Sequence, residues 1–201
     1  MYQEIMEAEP DNAETVKEFS KKIGTALKRM EQLILSMLKI TRLDTGNIIF
    51  EKQSCPVKEL IKNAISELGT RAVQEEKQLI IKGTPNLTII CDMDWTSEAI
   101  GNLVKNALDH TEAGGTIRIT WESTPTMLRI LVSDNGSGIA PEDIHHIFKR
   151  FYRSKFFLNT PGIGLGLPLA KSIIEEQGGF ISVQSVLHEG TTFSVSFLTK
   201  S

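Results

Sequence analysis

The sequence is poor in several features that would point directly to a class of protein. Its two cysteines, Cys55 and Cys91, lack metal-site spacing, so we expect reduced thiols in a cytosolic fold. No apolar run approaches the roughly 20 residues of a membrane span, and no signal peptide is recognisable. The net charge of -3 argues against nucleic-acid binding, which needs a basic surface. With 40% hydrophobic and 23% charged residues, the composition is that of a soluble globular domain.

Two common nucleotide-binding motifs are also missing. There is no GxxxxGK[ST] sequence, which argues against a P-loop protein. Gly162, Gly164 and Gly166 fall on every second position and do not match GxGxxG. A Rossmann site and the glycine loop of protein kinases therefore both lose support.

The sequence does contain two glycine clusters. The first, Leu-Val-Ser-Asp-Asn-Gly-Ser-Gly-Ile (131–139), places Asp134 at the end of an apolar run. The second, Pro-Gly-Ile-Gly-Leu-Gly-Leu (161–167), leads into a helical pattern. Glycine lets the backbone approach a ligand closely, and a helix N-terminus attracts anions. We predict a nucleotide held at both ends, base and phosphates; two glycine-rich surface turns are the alternative.

A helix with a polar stripe is predicted between Asp94 and His110. Glu98, Asn102, Asn106 and His110 lie four residues apart, beside an apolar stripe that would face the core. Asparagine is unfavourable inside a helix, but its oxygen can bind Mg²⁺ that is shared with phosphates. The polar stripe therefore indicates either a magnesium site or a solvated helix face.

A long amphipathic helix is predicted from Asn12 to Asp44, with Gly46 ending it. It would be about 50 Å long, and its apolar residues recur at alternating steps of three and four, a heptad pattern. These residues are Val16, Phe19, Ile23, Leu27, Met30, Ile34, Met37 and Thr41. We expect it to pack against a partner helix, with residues 2–8 as the tail of an earlier helix in an antiparallel hairpin. An amphipathic helix covering the chain's own sheet is the alternative.

The pattern after Gly46 predicts an α+β fold. Short strands are expected at 47–52, 79–82, 87–91, 116–121, 127–133, 180–186 and 191–198. Helices are expected from Pro56 to about Val73, from Asp92 or Asp94 to His110, from Pro141, and around Pro168. Strand pairs beside helices, without strict βαβ alternation, favour a two-layer α/β sandwich whose mixed sheet has helices on one face.

Five sequence boxes, in this order, resemble the catalytic, ATP-binding domain of two-component sensor histidine kinases. They are Asn-Leu-Val-Lys-Asn-Ala (102–107), Asp-Asn-Gly-Ser-Gly-Ile (134–139), Phe-Lys-Arg-Phe-Tyr-Arg (148–153), Gly-Ile-Gly-Leu-Gly-Leu (162–167) and Gly-Thr-Thr-Phe (190–193). The resemblance implies the fold shared by histidine kinases, topoisomerases and chaperone ATPases. It also implies transfer of the γ-phosphate of ATP to a histidine, and from there to an aspartate of a response regulator.

The same resemblance divides the chain into two parts. Residues 1–46 would be part of a dimerisation and phosphoacceptor hairpin, and residues 47–201 the ATP-binding catalytic domain. The implied partners are ATP, a cognate response regulator and a second copy of the chain bound through the 12–44 helix. This part of the protein is expected in the cytoplasm, and a longer parent is expected to be anchored in the membrane.

The resemblance also implies roles for individual residues. Asn106 would bind Mg²⁺, Asp134 would accept the adenine amino proton, and His110 matches a ring that packs against the nucleotide. Catalytic roles fall on Asn102, Lys105 and Arg153. The other nucleotide-binding positions are Gly136, Gly138, Ile139, Phe148, Tyr152, Gly162, Gly164, Leu165, Gly166, Leu167 and Thr192, with Thr191 beside the base pocket. Residues 149–163 would form a basic lid that contains Lys149, Arg150 and Lys155.

Two departures from the family pattern bear on activity. None of the four histidines lies in the context of a phosphoacceptor, so we expect the chain to begin after that histidine and to fail in autophosphorylation. Asp109 stands where the family often has a basic residue; Lys105, one helical step earlier, is the candidate for compensation.

Two other functions compete with the kinase. ATP hydrolases of the same superfamily place a glutamate four residues before the Mg²⁺ asparagine, as general base for water. Here that position is Asn102, which cannot take a proton. The second competitor is a non-catalytic module that binds ATP or docks a helix.

Overall fold

The computed structural model describes residues 13–154 and 162–199. The chain divides into two compact units, Met1–Lys39 and Ile40–Ser201. Among the described helices, none is both long enough and apolar enough to cross a membrane.

The long helix is confirmed. Helix α1 spans Ala13–Asp44, and Gly46 follows it with a φ of 65° and an N–H that donates to the carbonyl of Leu43 (3.0 Å). Among the described residues, the stripe side chains Leu27, Met30 and Ile34 are 61%, 60% and 54% exposed. The predicted earlier helix at residues 2–8 lies outside the described residues.

The described strands form two sheets. In chain order they are β1 (Gln53–Pro56), β2 (Gln78–Gly83), β3 (Thr88–Cys91), β4 (Thr116–Ser123), β5 (Met127–Asp134), β6 (Phe180–Val186) and β7 (Gly190–Leu198). The larger sheet has the order β2-β4-β5-β7-β6; β2 runs parallel to β4 and the other neighbours are antiparallel. Strands β1 and β3 form a separate antiparallel pair. The predicted mixed sheet is therefore confirmed.

One face of the larger sheet is covered by helices. Helix α4 (Met93–His110) contacts α6 (Gly166–Glu176), and α2 (Val57–Ala64) contacts α4. The remaining described helices are α3 (Leu68–Gln74) and α5 (Pro141–Ile144). The core contains alternate strand residues and the apolar stripes of α4 and α6: Ile117, Ile119, Ile130, Val132, Phe193, Val195, Ile100, Leu103, Val104, Leu108, Leu169 and Ile173. This is the expected two-layer α/β sandwich, preceded by a long helix.

Two predicted elements were wrong in detail. Residues 47–52 form no strand, because the Glu51 N–H donates to the Asp92 carboxylate (3.0 Å) and the Phe50 ring packs edge-on against Trp95. The first strand is β1 instead. The helix beginning after Pro56 is interrupted between α2 and α3. Val73 consequently leaves the buried face and is 77% exposed.

A buried amide fixes the start of α4 to the end of α6. Gln177 Oε1 accepts the Asp92 N–H (2.7 Å), and Gln177 Nε2 donates to Thr96 Oγ1 (3.0 Å). The Asp92 carboxylate in turn caps α4 by accepting the Trp95 N–H (3.2 Å). Buried polar groups are costly unless they are hydrogen-bonded, so this network holds the two helices in one register.

Both cysteines are buried and free, as predicted. The Cys55 thiol donates to the carbonyl of Cys91 (3.5 Å). Burial raises the pKa of the Cys91 thiol to about 12, which keeps it protonated and unreactive.

Candidate functional site

A cavity lies between α4, the loop after β5 and the N-terminus of α6. Twelve residues predicted to bind nucleotide or act in catalysis line it: Asn102, Lys105, Asn106, His110, Gly138, Ile139, Tyr152, Arg153, Gly162, Gly164, Gly166 and Leu167. They come from separate parts of the sequence, and the fold brings them together. Seven further residues complete the lining: Asp109, Asp143, Ile147, Ser154, Ile163, Pro168 and Thr191.

The two asparagines of α4 present unengaged carboxamides to this cavity. Neither Asn102 nor Asn106 forms a side-chain hydrogen bond with any residue that the structure describes. Partly buried amides usually find a partner within the protein. Their free oxygens and N–H groups are thus available to a ligand.

The N-terminus of α6 lies next to Asn102. Helix α6 begins at Gly166 and has no side-chain cap, and a Cβ added to Gly166 would lie 3.3 Å from Asn102 Oδ1. A helix N-terminus without a cap leaves N–H groups free and carries partial positive charge. This end of the cavity is therefore suited to an anion.

Asp134 is not itself a lining residue, but it is paired with the lining residue Thr191 across strands β5 and β7. Its Oδ1 accepts the N–H groups of Gly136 (2.9 Å) and Thr191 (3.3 Å). Burial raises the pKa of this carboxyl, and the two backbone N–H groups partly offset that effect. Within the described part of the chain, no group is hydrogen-bonded to Oδ2. A carboxylate fixed through one oxygen can offer the other to a donor.

Five of the predicted site residues, including Asp134, are not part of the lining. Gly136 instead supports the turn, because a Cβ there would lie 2.1 Å from the carbonyl oxygen of His110. Leu165 is buried beside the start of α6. The Phe148 ring packs edge-on against Phe193 in the core, with a centroid separation of 6.3 Å.

Thr192 is the fifth, and its place in the lining is taken by Thr191. Successive residues of a strand point to opposite faces of the sheet. Thr191 is buried on the cavity side, whereas Thr192 donates to Ser133 Oγ (2.9 Å) on the other face.

Residues 148–154 contain the N-terminal part of the predicted lid. Phe151 has a φ of 62°, and its N–H donates to the carbonyl of Gly164 (2.9 Å). Gly164 also has a positive φ, 73°, and a Cβ there would lie 2.6 Å from the Tyr152 carbonyl. Glycine is therefore required at position 164, where the second glycine cluster passes close to the backbone of Phe151 and Tyr152.

Two side chains fix this segment. The Tyr152 hydroxyl donates a short hydrogen bond to Asp143 Oδ1, which raises the pKa of the tyrosine. Arg150 does not line the cavity, and its Nη2 group donates to both carboxylate oxygens of Asp44 at 2.6 Å. Lys155 lies outside the described residues.

His110 lies between opposite charges. Burial lowers the pKa of its imidazole, Asp109 raises it and Arg153 lowers it, so that the net effect is a decrease. The ring is therefore neutral at pH 7. A neutral imidazole can pack against a ring system without bringing extra charge.

A charged pair at the wall of the cavity could not be predicted from the sequence. The Arg71 guanidinium on α3 donates to Asp109 Oδ1 (2.6 Å) and to Glu75 Oε1 (2.6 Å). Arg71 is 38 positions from Asp109, so no local motif joins them. The only signal in the sequence was the unexpected acid at position 109.

Comparison with known proteins agrees with this geometry. Residues 91–201 match the family described as histidine kinase-, DNA gyrase B-, and HSP90-like ATPases. The sensor-like histidine kinase SenX3 of Mycobacterium tuberculosis is 28% identical over 195 residues, covering 96% of this chain and 48% of SenX3. The sensor protein kinase PmrB of Pseudomonas aeruginosa is 33% identical over 179 residues, covering 89% of this chain and 37% of PmrB. The chain thus spans about half or less of these relatives.

A solved structure has the same fold. The histidine kinase ThkA, in complex with the response regulator protein TrrA, superposes with a TM-score of 0.80 at 23% identity, covering 99% of this chain and 56% of ThkA.

The chain belongs to the family of histidine kinase-, DNA gyrase B- and HSP90-like ATPases. Its relatives are sensor kinases, so the resemblance to the catalytic, ATP-binding domain of a sensor histidine kinase is confirmed.

Proposed function

We propose that the cavity binds Mg-ATP and that the domain transfers the γ-phosphate to a histidine of a helical hairpin. One observation supports this most strongly: two unengaged asparagine carboxamides line the cavity, Asn102 lies next to the uncapped N-terminus of α6, and the fixed carboxylate of Asp134 is hydrogen-bonded to the lining residue Thr191. An acceptor suited to a purine amine would thus lie beside the cavity wall at Thr191, and donors suited to phosphates would lie at the start of α6.

Magnesium fits the donor set on α4. Among the described residues there is no group of three or more His, Cys, Asp or Glu side chains that could form an all-protein metal site. Mg²⁺ prefers oxygen ligands and is often bound jointly by a few protein oxygens, phosphates and water. The Oδ1 of Asn106 would hold the ion, which would neutralise charge on the phosphates.

The residues around the phosphate end would assist transfer electrostatically. Lys105 forms no ion pair within residues 13–154 and 162–199, and both Lys105 and Arg153 line the cavity. Positive groups placed around a transferring phosphoryl group stabilise its charge in the transition state. The proposed roles of Asn102, Lys105 and Arg153 are to bind and orient the phosphates, and none of these residues need act as a base.

The nature of residue 102 also favours transfer over hydrolysis. An amide cannot remove a proton from water, so a hydrolase would lack its general base at this position. The receiving group would instead be a histidine, and the phosphate would pass from it to an aspartate of a response regulator.

The long helix supplies the proposed partner surface. We propose that residues 1–46 belong to a dimerisation hairpin and 47–201 to the catalytic domain. The exposed apolar stripe of α1, which includes Leu27, Met30 and Ile34, supports pairing with a second copy. A response regulator is proposed as the second partner, since ThkA is seen in complex with one. A membrane-anchored parent, with this domain in the cytoplasm, is likewise a proposal.

Phosphotransfer in trans tests the proposed function. The chain is mixed with Mg-ATP labelled on the γ-phosphate and with a separate helical hairpin that carries an acceptor histidine, taken from a sensor kinase such as SenX3. We expect acid-labile, base-stable phosphate on the hairpin, and none when its histidine is replaced by glutamine. Since α1 contains no histidine, we expect no label on the chain alone. ATP binding without transfer to any hairpin would support the non-catalytic module instead.

A further inference from the structure

We propose that Asp109, held by Arg71, recognises the ribose of the bound nucleotide and selects ATP over its deoxy analogues. This inference rests on the proposed binding of ATP in the cavity. It concerns one carboxylate that lines the cavity together with Asn106 and His110.

The position of Asp109 along α4 places it between the two ends of the cavity. Asn106, at the phosphate end, is one turn earlier on the same helix. Beyond Asp109, the carbonyl of His110 accepts the Ser137 N–H (3.0 Å), which joins the end of α4 to the loop after Asp134. Three residues of helix advance about 4.5 Å along the axis. In a nucleotide the sugar connects the base and the phosphates. The sugar is therefore the part of the nucleotide that would lie next to Asp109.

The carboxylate of Asp109 is held in place through one oxygen, and its second oxygen is available to a ligand. Its side chain is 11% exposed, and Oδ1 accepts the Arg71 Nη2–H group at 2.6 Å. In the described part of the chain, no group is hydrogen-bonded to Oδ2. Arg71 is itself oriented through its Nε by Glu75 (2.6 Å), and Glu75 also pairs with Lys77. The charges of these four side chains cancel, so the network orients Asp109 without adding net charge.

The chemistry of a carboxylate decides which part of the nucleotide it can bind. An ionised carboxylate accepts hydrogen bonds and donates none, and it repels phosphate oxygens. Asp134 is the proposed acceptor for the adenine amine. The donors that remain on ATP are the two ribose hydroxyls. Arg71 keeps the repulsion of the neighbouring phosphates small by neutralising Asp109.

The test compares ATP with 2′-deoxy-ATP and 3′-deoxy-ATP by equilibrium binding in excess Mg²⁺ and again in EDTA. For the unaltered chain, we expect at least one deoxy analogue to bind about 10-fold to 150-fold more weakly, the range for a lost hydrogen bond to a charged group. Asp109→Asn should weaken ATP by a similar factor and remove the difference between ATP and that analogue. Asp94→Asn, an exposed acid in the first turn of α4, is the matched control and should change neither.

Each other result has a definite meaning. Equal affinity of the unaltered chain for all three nucleotides overturns the inference, whether or not the variant folds. A preference for ATP that persists in Asp109→Asn also overturns it. A loss seen only with Mg²⁺, and equal for all three nucleotides, overturns it as well and assigns Asp109 to the metal. If the unaltered chain binds no nucleotide, the proposed function itself fails, whereas tight ATP binding without discrimination removes only the ribose assignment.

Discussion

Replacing Asp134 by asparagine should weaken the preference of the site for adenine over guanine. In the structure, Oδ1 accepts the N–H groups of Gly136 and Thr191, and no group in residues 13–154 and 162–199 is hydrogen-bonded to Oδ2. Asparagine has nearly the same shape and can keep both backbone hydrogen bonds through its own oxygen. Its NH₂ group then occupies the place of Oδ2. There it opposes the adenine amine, donor against donor, but can donate to the keto oxygen of guanine.

The size of the effect follows from the kind of hydrogen bond that is lost. A hydrogen bond to a charged group contributes about 1.5–3 kcal/mol, which corresponds to about 10-fold to 150-fold in affinity. We therefore expect Asp134→Asn to lose at least about 10-fold in ATP affinity, while GTP affinity stays equal or rises.

The assay is isothermal titration of the unaltered chain and the variant with Mg-ATP and Mg-GTP, with Asp94→Asn as control and thermal unfolding as a check on folding. The assignment of Asp134 to the adenine amine would be wrong if the folded variant bound ATP as tightly as the unaltered chain. It would also be wrong if both nucleotides lost affinity equally, because that result reports a general disturbance of the cavity and no readout of the base.

Three further predictions concern the metal, the helix packing and the response to pH. Asn106→Ala should remove the increase in ATP affinity that Mg²⁺ produces and leave the affinity in EDTA unchanged; titrations with and without Mg²⁺ measure this, and an undiminished Mg²⁺ effect refutes it. Gln177→Ala leaves the Asp92 N–H and the Thr96 hydroxyl without the partner that Gln177 provides, so it should lower the free energy of unfolding by about 2–4 kcal/mol. Urea denaturation measures this loss, and a loss no larger than that of Gln184→Ala, a control at an exposed position of β6, contradicts the prediction. The pKa of His110 is lowered from 6.5 on folding, so the unfolded state takes up a proton first and stability falls as pH drops below about 6.5; His110→Phe should show a shallower fall in urea denaturation between pH 7.5 and pH 5.5, and an identical slope would contradict this.

Much of the site could be predicted because its signals are local. Asn102 and Asn106 are four residues apart on one helix, so periodicity alone places them on one face. Asp134 and Gly164 belong to glycine clusters whose chemistry indicates an anion and a base. The helix α1 was also predictable, since a heptad pattern that long has few other interpretations.

The features that could not be predicted depend on how strands pair and how helices pack in the folded chain. Which of Thr191 and Thr192 faces the cavity is decided by the pairing of β7 with β5, where Asp134 is opposite Thr191, and a shift of one residue exchanges the two. The segment 47–52 has apolar residues but pairs with no strand in the described part of the chain, and the carboxylate of Asp92 accepts the Glu51 N–H. The Arg71–Asp109 pair depends on how α3 packs against α4. None of these features can be predicted from a short segment of the sequence.

The most direct test of the central claim is a crystal structure of the chain with Mg²⁺ and a non-hydrolysable ATP analogue. The nucleotide should lie in the cavity with its exocyclic amine on Asp134 and the metal on Asn106 Oδ1, its phosphates at the N-terminus of α6. A nucleotide bound elsewhere, or bound in this cavity with its base beside Gly166 and its phosphates beside Asp134, would contradict the account.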